Sequence, residues 1–202
     1  MCTSAIVTCA VEGPIDEAVL VRLAEELGCS VGPIHGKMGK GRLDKRIDGY
    51  NSAARFSPWL VLRDMDRDDN CPLLLRQRLL ASSESMMCFR IAVRSVESWL
   101  LADHQAIARF LKVSENHVPQ EPESLHDPKI TMVDLARRSR SSRVKEDMVP
   151  RQKSGRSVGP LYTSYMIDYI REHWRPNSAT KYSESLNRAI RCWQRLLSEN
   201  TI

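Results

Sequence analysis

Four carboxylates follow a short apolar segment in WLVLRDMDRDD, the sequence from Trp59 to Asp69. Residues two apart in an extended chain point to the same side, so Asp64, Asp66 and Asp68 are expected to project together. Carboxylates this close repel each other unless a cation lies between them. The spacing therefore indicates a site for Mg²⁺ or Mn²⁺, hard cations that prefer oxygen ligands.

A second acidic residue, Glu12, ends an earlier apolar segment in the same way. Ligands of parallel sheets bind beyond the carboxyl ends of the strands, so neighbouring strands would bring Glu12, Asp64 and Asp66 to one oxygen-rich site. We expect Asp68 to be a further metal ligand there. An ion so held activates water and neutralises charge that develops on a phosphate. The pattern therefore predicts a divalent metal site formed by Glu12, Asp64 and Asp66.

Two other interpretations of the acidic segment have to be considered. Its aspartates can cap a helix that begins near Pro72, and this interpretation stays open. An EF-hand loop also begins D-x-D-x-D, but it requires glycine at its sixth position and glutamate at its twelfth. The sequence has Asp69 and Leu75 there, which excludes an EF-hand.

Strand and helix patterns alternate through the first half of the chain. Such alternation is typical of a parallel sheet with helical crossovers, so we predict an α/β fold whose sheet is flanked by helices. Pro14 and Gly28 mark the expected start and stop of the first helix. The predicted strands are residues 5–11, 29–34, 59–62 and 88–93, and the predicted helices of this half are residues 14–27, 43–54, 72–80 and 95–113.

The pattern changes after residue 113. Residues 114–130 contain three prolines and no periodicity, which indicates a linker between residues 1–113, the metal-binding domain, and residues 131–202, a basic helical subdomain. Helices are predicted over residues 130–138, 161–174 and 183–198. The stretch 137–156 is predicted to be a loop, and its eight Lys or Arg residues against two acids indicate a positive surface.

The composition, 42% hydrophobic and 27% charged residues, is typical of a globular protein without a membrane partner. No apolar run approaches the roughly 20 residues of a membrane span, and the first residues lack the pattern of a secretory signal. The six cysteines are scattered, which argues against a zinc site or a disulfide framework. We expect a cytoplasmic protein. Its charge of +5 is compatible with a polyanionic partner such as DNA or RNA, but charge alone does not decide the partner.

Basic residues that can contact phosphate occur in several segments. The loop HGKMGKGR, residues 35–42, does not have the spacing of a nucleotide-binding P-loop, but its glycines and cations suit backbone phosphates. Arg63 can either contact a phosphate or compensate the neighbouring carboxylates, and Lys129 is either a transition-state cation or an ordinary residue of a helix start. The predicted nucleic-acid contacts are Lys37, Lys40, Arg42, Arg63, Lys129, Arg137, Arg138, Arg140 and Arg143.

Glu97 begins the helix that follows the fourth predicted strand. A carboxylate in the first turn of a helix is stabilised by the helix dipole and needs no other role. Two-metal phosphoryl-transfer sites, however, often include a further acid beside the first group of ligands. We therefore include Glu97 among the candidate catalytic residues.

Two segments together resemble the signatures of the Toprim domain. These are VEGPIDE after the first strand and VLRDMDRDD after the third, and the domain is shared by topoisomerases, bacterial-type primases and overcoming-lysogenization-defect nucleases. With GKMGKGRLDKRI, RSVESWLLAD and DPK, the chain is similar over most of its length to small standalone Toprim-like bacterial proteins of uncharacterised function. The resemblance implies a metal and acid-base role for Glu12 and a metal role for Asp64 and Asp66. Arg63 departs from the pattern, because an apolar residue is usual there.

The resemblance also bears on activity and partners. The chain has no room for the strand-passing domain of a topoisomerase or for the catalytic core of a primase. The resemblance therefore implies a Mg²⁺- or Mn²⁺-dependent nuclease. It further implies action beside a partner ATPase in bacterial defence against phage or mobile DNA. The alternative is a non-catalytic Toprim-like adaptor that binds nucleic acid or such an ATPase. Nothing in the sequence predicts the oligomeric state.

Overall fold

The structure is a computed structural model that describes residues 6–199. The chain divides into two compact units. The first contains the described residues up to Val93 and those from Ser185 onward, and the second spans Arg94–Glu184. Ala5, which the sequence places in the first strand, lies outside the described residues.

A four-stranded parallel sheet with the order β2-β1-β3-β4 forms the centre of the first unit. The sheet and its flanking helices confirm the predicted α/β fold class. The strands are β1 Ile6–Val11, β2 Ser30–Gly36, β3 Trp59–Asp64 and β4 Met87–Ala92, and the helices between them are α1 Pro14–Leu27, α2 Lys40–Asp44, α3 Ile47–Ala53 and α4 Pro72–Leu79.

β1 and β3 are the two central strands of the sheet. They pair in parallel with Thr8 opposite Trp59 and Ala10 opposite Val61. Val61 is fully buried in a core cluster to which α3 contributes Ile47. Because β1 and β3 are adjacent and run the same way, the residues that follow both strands emerge at one edge of the sheet.

A sharp turn joins β1 to α1. Gly13 is the N-cap residue in an extended conformation, and its backbone N–H donates to Asp16 Oδ2 at 2.7 Å. Pro14 occupies the first turn, where a missing N–H has no cost. This turn fixes the direction in which the chain leaves Glu12.

Gly36, at the end of β2, lies opposite Val11 at the end of β1 and very close to it. Its φ is +89°, and a Cβ placed on it would lie 2.2 Å from the carbonyl oxygen of Val11. After Gly36, the backbone N–H of Lys37 donates to the carbonyl of Val11 at 2.9 Å. The backbone N–H of Gly39 donates to the carbonyl of Glu12 at 3.0 Å. The loop between β2 and α2 therefore holds the backbone of Glu12 in place.

The second unit is helical. It contains α5 Val96–Leu101, α6 His104–Leu111, α7 Pro128–Arg137, α8 Ser142–Met148, α9 Tyr162–Glu172 and α10 Pro176–Ala179. Trp99, Tyr169 and Trp174 are fully buried within it. Asp103 caps α6 by accepting the backbone N–H of Ala106, and it also accepts from Arg175. None of the helices within residues 6–199 is long and apolar enough to cross a membrane.

The prediction of a loop over residues 137–156 is wrong for α8. Only Val144 and Met148 are buried in this seven-residue helix, and two apolar residues four apart are too short a pattern to predict a helix. Residues 114–130, predicted to be a linker, contain two short 3₁₀-helices, Glu115–His117 and Pro122–Ser124.

The last helix, α11 Glu184–Glu199, forms where the sequence predicts one. The unit boundary leaves all but its first residue in the first unit, beside the sheet. Its Ser185 Oγ accepts the backbone N–H of Val93, directly after β4, at 3.2 Å. The units thus differ from the predicted division at residues 113 and 130, because a sequence pattern does not show to which core an amphipathic helix returns.

We predict that Gly36→Ala destabilises the protein by about 2 kcal/mol or more, since the new Cβ meets a backbone carbonyl at a positive φ. Gly49→Ala is the matched control, because Gly49 lies inside α3 and a Cβ placed on it would meet no other described residue within 4 Å beyond its own helix backbone. It should stabilise the protein by up to about 1 kcal/mol. Urea unfolding followed by circular dichroism measures both changes, and equal effects would contradict the close approach of Gly36 to β1.

Candidate functional site

Glu12 and Asp64 meet at the ends of the two central strands. The backbone N–H of Asp64 donates to Glu12 Oε1 at 2.9 Å. This contact joins residues 52 positions apart and brings together two of the residues that the sequence singles out. The side chain of Glu12 is only 14% exposed, so the carboxylate lies in a largely buried position.

The surroundings of Glu12 favour its protonated form. Burial raises the pKa of its carboxyl from 4.5 to about 7, against the opposing effects of the Asp64 N–H and of Arg63. The charges of Asp66 and Asp44 also raise this pKa. Glu12 can therefore take up and release a proton near neutral pH, which is what a general acid or base requires.

Arg63 lies beneath this carboxylate, with its side chain only 3% exposed. Its Nε and Nη2 donate to the two oxygens of Asp44 at 3.2 and 3.0 Å, a bidentate pair. Nη2 also donates to Asp68, Nη1 donates to the carbonyl of Asp64, and Nε lies 3.6 Å from Glu12 Oε1. Burial alone would lower the pKa of Arg63, but the hydrogen bonds to Asp44 and Asp68 hold it above its ordinary value.

Lys40, the first residue of α2, supplies a second positive charge. Its Nζ donates to Asp66 Oδ2 at 2.9 Å and to Asp68 Oδ1 at 3.0 Å. The hydrogen bond to Asp66 has the largest effect on the pKa of Lys40 and raises it. The hydrogen bond to Asp68 raises it further, against the opposing effect of burial. Lys40, predicted to contact nucleic acid, is thus engaged with the carboxylates after β3.

The backbone after β3 is a tight turn and not an extended strand. Asp66 has a φ of +50°, and Asp68 N–H donates to the carbonyl of Met65 at 3.2 Å. Asp69 Oδ1 accepts the backbone N–H of Cys71 at 3.0 Å, just before α4 begins. The chain therefore does not stay extended beyond Asp64, and Asp66 and Asp68 come together at Lys40 instead. Asp69 forms a turn before α4, whose N-cap residue, Cys71, makes no side-chain cap hydrogen bond.

Most of the predicted ligands are engaged by protein cations in this arrangement. Within residues 6–199, no group of three or more His, Cys, Asp or Glu side chains is placed to hold a metal ion. The site thus consists of carboxylates gathered around Arg63 and Lys40.

No protein-family model, no curated protein and no solved structure matches this chain. The resemblance to Toprim domains stays a prediction, and so do the roles it implies for Glu12, Asp64 and Asp66. The function has to be inferred from the geometry of the site.

Glu97 belongs to the second unit, where it is 2% exposed. Ser95 Oγ donates to its Oε2 at 2.7 Å, and the hydroxyl of Tyr162 donates to its Oε1 at 3.3 Å. Lys129 Nζ lies 3.6 Å from the same Oε1, so two residues predicted separately from the sequence are brought together. Burial, and then the charge of Glu97, raises the pKa of Tyr162 well above its ordinary value.

The remaining basic candidates fall into two groups. The first group forms local contacts: Lys37 pairs with Glu17 at 3.2 Å, Arg42 contacts Met38 Sδ, Arg137 pairs with Asp134, and Arg143 lies 3.6 Å from Asp147. The second group, Arg138 and Arg140, is exposed and forms no ion pair with the described residues. The second unit also has a cavity of about 500 Å³ that is lined by Arg137, Lys145 and Arg151, together with Glu146 and Asp147.

Sequence reasoning missed Asp44. Its carboxylate lies at the end of α2 and forms the bidentate pair with Arg63. No local pattern identifies this aspartate, because it is one of several charged residues in GKGRLDKRI. The only signal was Arg63 itself, since a basic residue inside an apolar strand requires an acidic partner. Because the Arg63 side chain is buried, the structure does not support its predicted contact with a phosphate.

We predict that Glu12→Gln changes the pH dependence of folding in the presence of EDTA. A carboxyl with a raised pKa stabilises the folded state only while it is protonated, so its contribution is complete below pH 4.5 and is lost as the pH rises to about 7. Gln cannot ionise, and it keeps the oxygen that accepts the Asp64 N–H. As the pH rises from 5 to 8, the free energy of unfolding of Glu12→Gln should therefore increase by about 3 kcal/mol relative to that of the parent.

Urea unfolding at several pH values measures this difference. Glu25→Gln is the control, because the Glu25 side chain is 62% exposed and lies in the same unit. Parallel stability curves for the parent and Glu12→Gln would show that Glu12 is ionised at low pH in the folded protein.

Proposed function

We propose that this protein is a Mg²⁺- or Mn²⁺-dependent nuclease that hydrolyses phosphodiester bonds of DNA or RNA. The observation that carries the proposal is the position of Glu12, a largely buried carboxyl with a pKa of about 7 at the ends of the central strands. Perturbed carboxyls at such sheet edges are typical of catalytic sites. Its contact with Asp64 supports a shared role for the two residues.

The donors around Glu12 suit a hard divalent cation, because they are all carboxylate oxygens. Glu12, Asp44, Asp64, Asp66 and Asp68 contribute five negative charges when ionised, and Arg63 and Lys40 contribute two positive charges. These seven side chains therefore leave three negative charges, of which a divalent cation would neutralise two. Glu12, Asp64 and Asp66 would hold the ion, with Asp68 beside them.

The ion would supply Lewis-acid stabilisation of the phosphate and an activated water. Glu12 would exchange a proton with the attacking water, since its carboxyl lies at the ends of the central strands beside Asp64. Arg63 keeps Glu12 and Asp68 in place through its buried ion pairs. Lys40 contacts the carboxylates on the exposed side, where its positive charge would attract the phosphate backbone.

The second unit supports nucleic acid as the substrate. Arg138 and Arg140 are exposed without ion pairs to the described residues, and Lys145 and Arg151 line one cavity together with Glu146 and Asp147. Unpaired surface cations are available to phosphates, and their binding releases counterions from the nucleic acid. This surface carries no base-specific pattern, so we propose contact with the backbone.

A second candidate function is a non-catalytic adaptor that binds nucleic acid or a partner ATPase. The specific observation that favours it is the absence, within residues 6–199, of a group of three ligands placed for a metal ion. In that case Arg63 and Lys40 would be permanent partners of the carboxylates. Metal binding separates the two candidates, since only the nuclease requires it.

We predict that the parent cleaves duplex DNA, single-stranded DNA, total RNA or transfer RNA with Mn²⁺ and not with EDTA. Asp64→Asn/Asp66→Asn should lose cleavage and lose the rise in unfolding temperature that Mn²⁺ gives the parent. Glu12→Gln should reduce cleavage by about 100-fold or more, the usual effect of removing a general acid or base. Gel assays and thermal melts with and without Mn²⁺ measure these outcomes.

Asp48→Asn is the matched control, because it removes an exposed aspartate of the same unit. It should retain both cleavage and the response to Mn²⁺. A parent that binds nucleic acid but neither binds Mn²⁺ nor cleaves would refute the nuclease and support the adaptor.

We also predict that Arg138→Gln/Arg140→Gln weakens nucleic-acid binding. Each arginine–phosphate interaction that the substitutions remove should reduce the slope of log affinity against log salt by about 0.7 to 0.9. Arg171→Gln/Lys181→Gln removes the same charge from exposed positions of the same unit and is the control. Fluorescence anisotropy between about 50 and 200 mM salt, a range over which affinities that depend on phosphate contacts fall steeply, measures the slopes. Equal slopes for both variants would exclude a localised phosphate-binding surface.

A further inference from the structure

Two thiols of the first unit lie against each other. Cys88 is on β4 and is 1% exposed, and Cys192 is on α11 and is partly buried. Their side chains form a hydrogen bond. The contact of Ser185 with Val93 places the start of α11 at the end of β4, and Cys192 lies seven residues, or two turns, further on the same helix face. The interaction of Cys192 with Cys88, together with this contact, has the helix run back along the strand.

Two arginines surround Cys192. Arg195, one turn further along α11, forms a hydrogen bond with its sulfur, and Arg90 is close enough to attract it. Arg90 lies two residues from Cys88, so both side chains leave β4 on the same face. Its Nε is buried and has no hydrogen-bond partner among the described residues. A thiolate at Cys192 would compensate this buried charge.

The two thiols have opposite acidities. The hydrogen bond from Cys88 lowers the pKa of Cys192, and the two arginines lower it further, against the effect of burial. Burial raises the pKa of Cys88 well above its ordinary value. A reactive thiolate beside a protonated thiol is the arrangement found in cysteine pairs that respond to peroxide.

A second cysteine pair in the same unit provides a comparison. Cys9 and Cys29 are close enough to influence each other, and burial is the main cause that raises the pKa of both thiols. Among the described residues, no arginine lowers either pKa. This pair should therefore stay reduced under conditions that oxidise Cys192.

We propose that Cys192 and Cys88 are a peroxide-sensitive pair that forms a disulfide between α11 and β4. The Cys192 sulfur attacks a hydroperoxide, the O–O bond breaks, and a sulfenic acid forms as water or an alcohol leaves. The Cys88 sulfur then attacks this sulfur, the S–O bond breaks, and a water departs with the Cys88 proton. The two thiols lose two electrons and the peroxide gains them. The proposal does not depend on the function proposed above.

Hydrogen peroxide treatment of the full reduced chain tests this. In denaturant the reduced protein should take up maleimide at all six cysteines, and the oxidised protein at four, since two are consumed. Tryptic digestion without reductant should give peptide 79–90 linked to peptide 192–195, and a reducing agent should separate them. Cys88→Ser should stop at a sulfenic acid on Cys192 that dimedone labels, and Cys192→Ser should leave Cys88 unmodified.

Two arginine variants test the role of the charge. Arg195→Gln should slow the consumption of maleimide-reactive thiols several-fold, because it removes a cation that favours the thiolate. Arg191→Gln is the control, since Arg191 is an exposed residue of the same helix. Maleimide uptake at all six cysteines after peroxide, a linkage of Cys192 to another cysteine, or oxidation of Cys9 and Cys29 first would overturn the proposal.

Discussion

A guanidinium placed inside a protein is tolerated only where carboxylates surround it, because an unpaired buried charge costs several kcal/mol. Arg63 satisfies this condition with Asp44, Asp68 and, more distantly, Glu12. Each of these acids comes from a different part of the chain. The pairs therefore fix the end of β1, the end of α2 and the turn after β3 around one side chain, and the candidate site takes its shape from this constraint.

The short helix α2 has two electrostatic roles at opposite ends. Lys40 at its start contacts Asp66 and Asp68, and Asp44 at its end holds Arg63. A five-residue helix is too short to be stable by itself, so its position depends on these contacts and on Leu43, which is buried. The positive charge of Lys40 on this helix allows Asp66 and Asp68 to lie close together after β3. The loop that follows Gly36, at the end of β2, leads directly into this helix.

The sequence predicts the periodic parts of the molecule well. Apolar runs and their flanking Pro and Gly residues indicate the strands and most helices, since burial on both faces of a parallel strand leaves a plain signature. It also predicts that Glu12 lies beside Asp64, because adjacent parallel strands end at one edge. The turn at Asp66 and the pair of Asp44 with Arg63 escape prediction, because they depend on side-chain contacts between distant segments.

Trp193 illustrates the same limit for domain organisation. Its helix has a clear apolar stripe, which predicts a packed face but not the core that receives it. The predicted helical subdomain of residues 131–202 includes this helix, whereas α11 belongs to the unit that contains the sheet. Amphipathic periodicity predicts that one face of a helix is buried, but it does not identify the element that buries it.

The return of α11 makes the first unit discontinuous, since residues 94–184 intervene between β4 and the helix that completes it. During synthesis the chain emerges from its N-terminus, so the four strands are available long before α11. The intervening helical unit is contiguous in sequence, whereas the first unit is complete only once α11 has left the ribosome. Until then the face of β4 that α11 will cover is open to water and to chaperones.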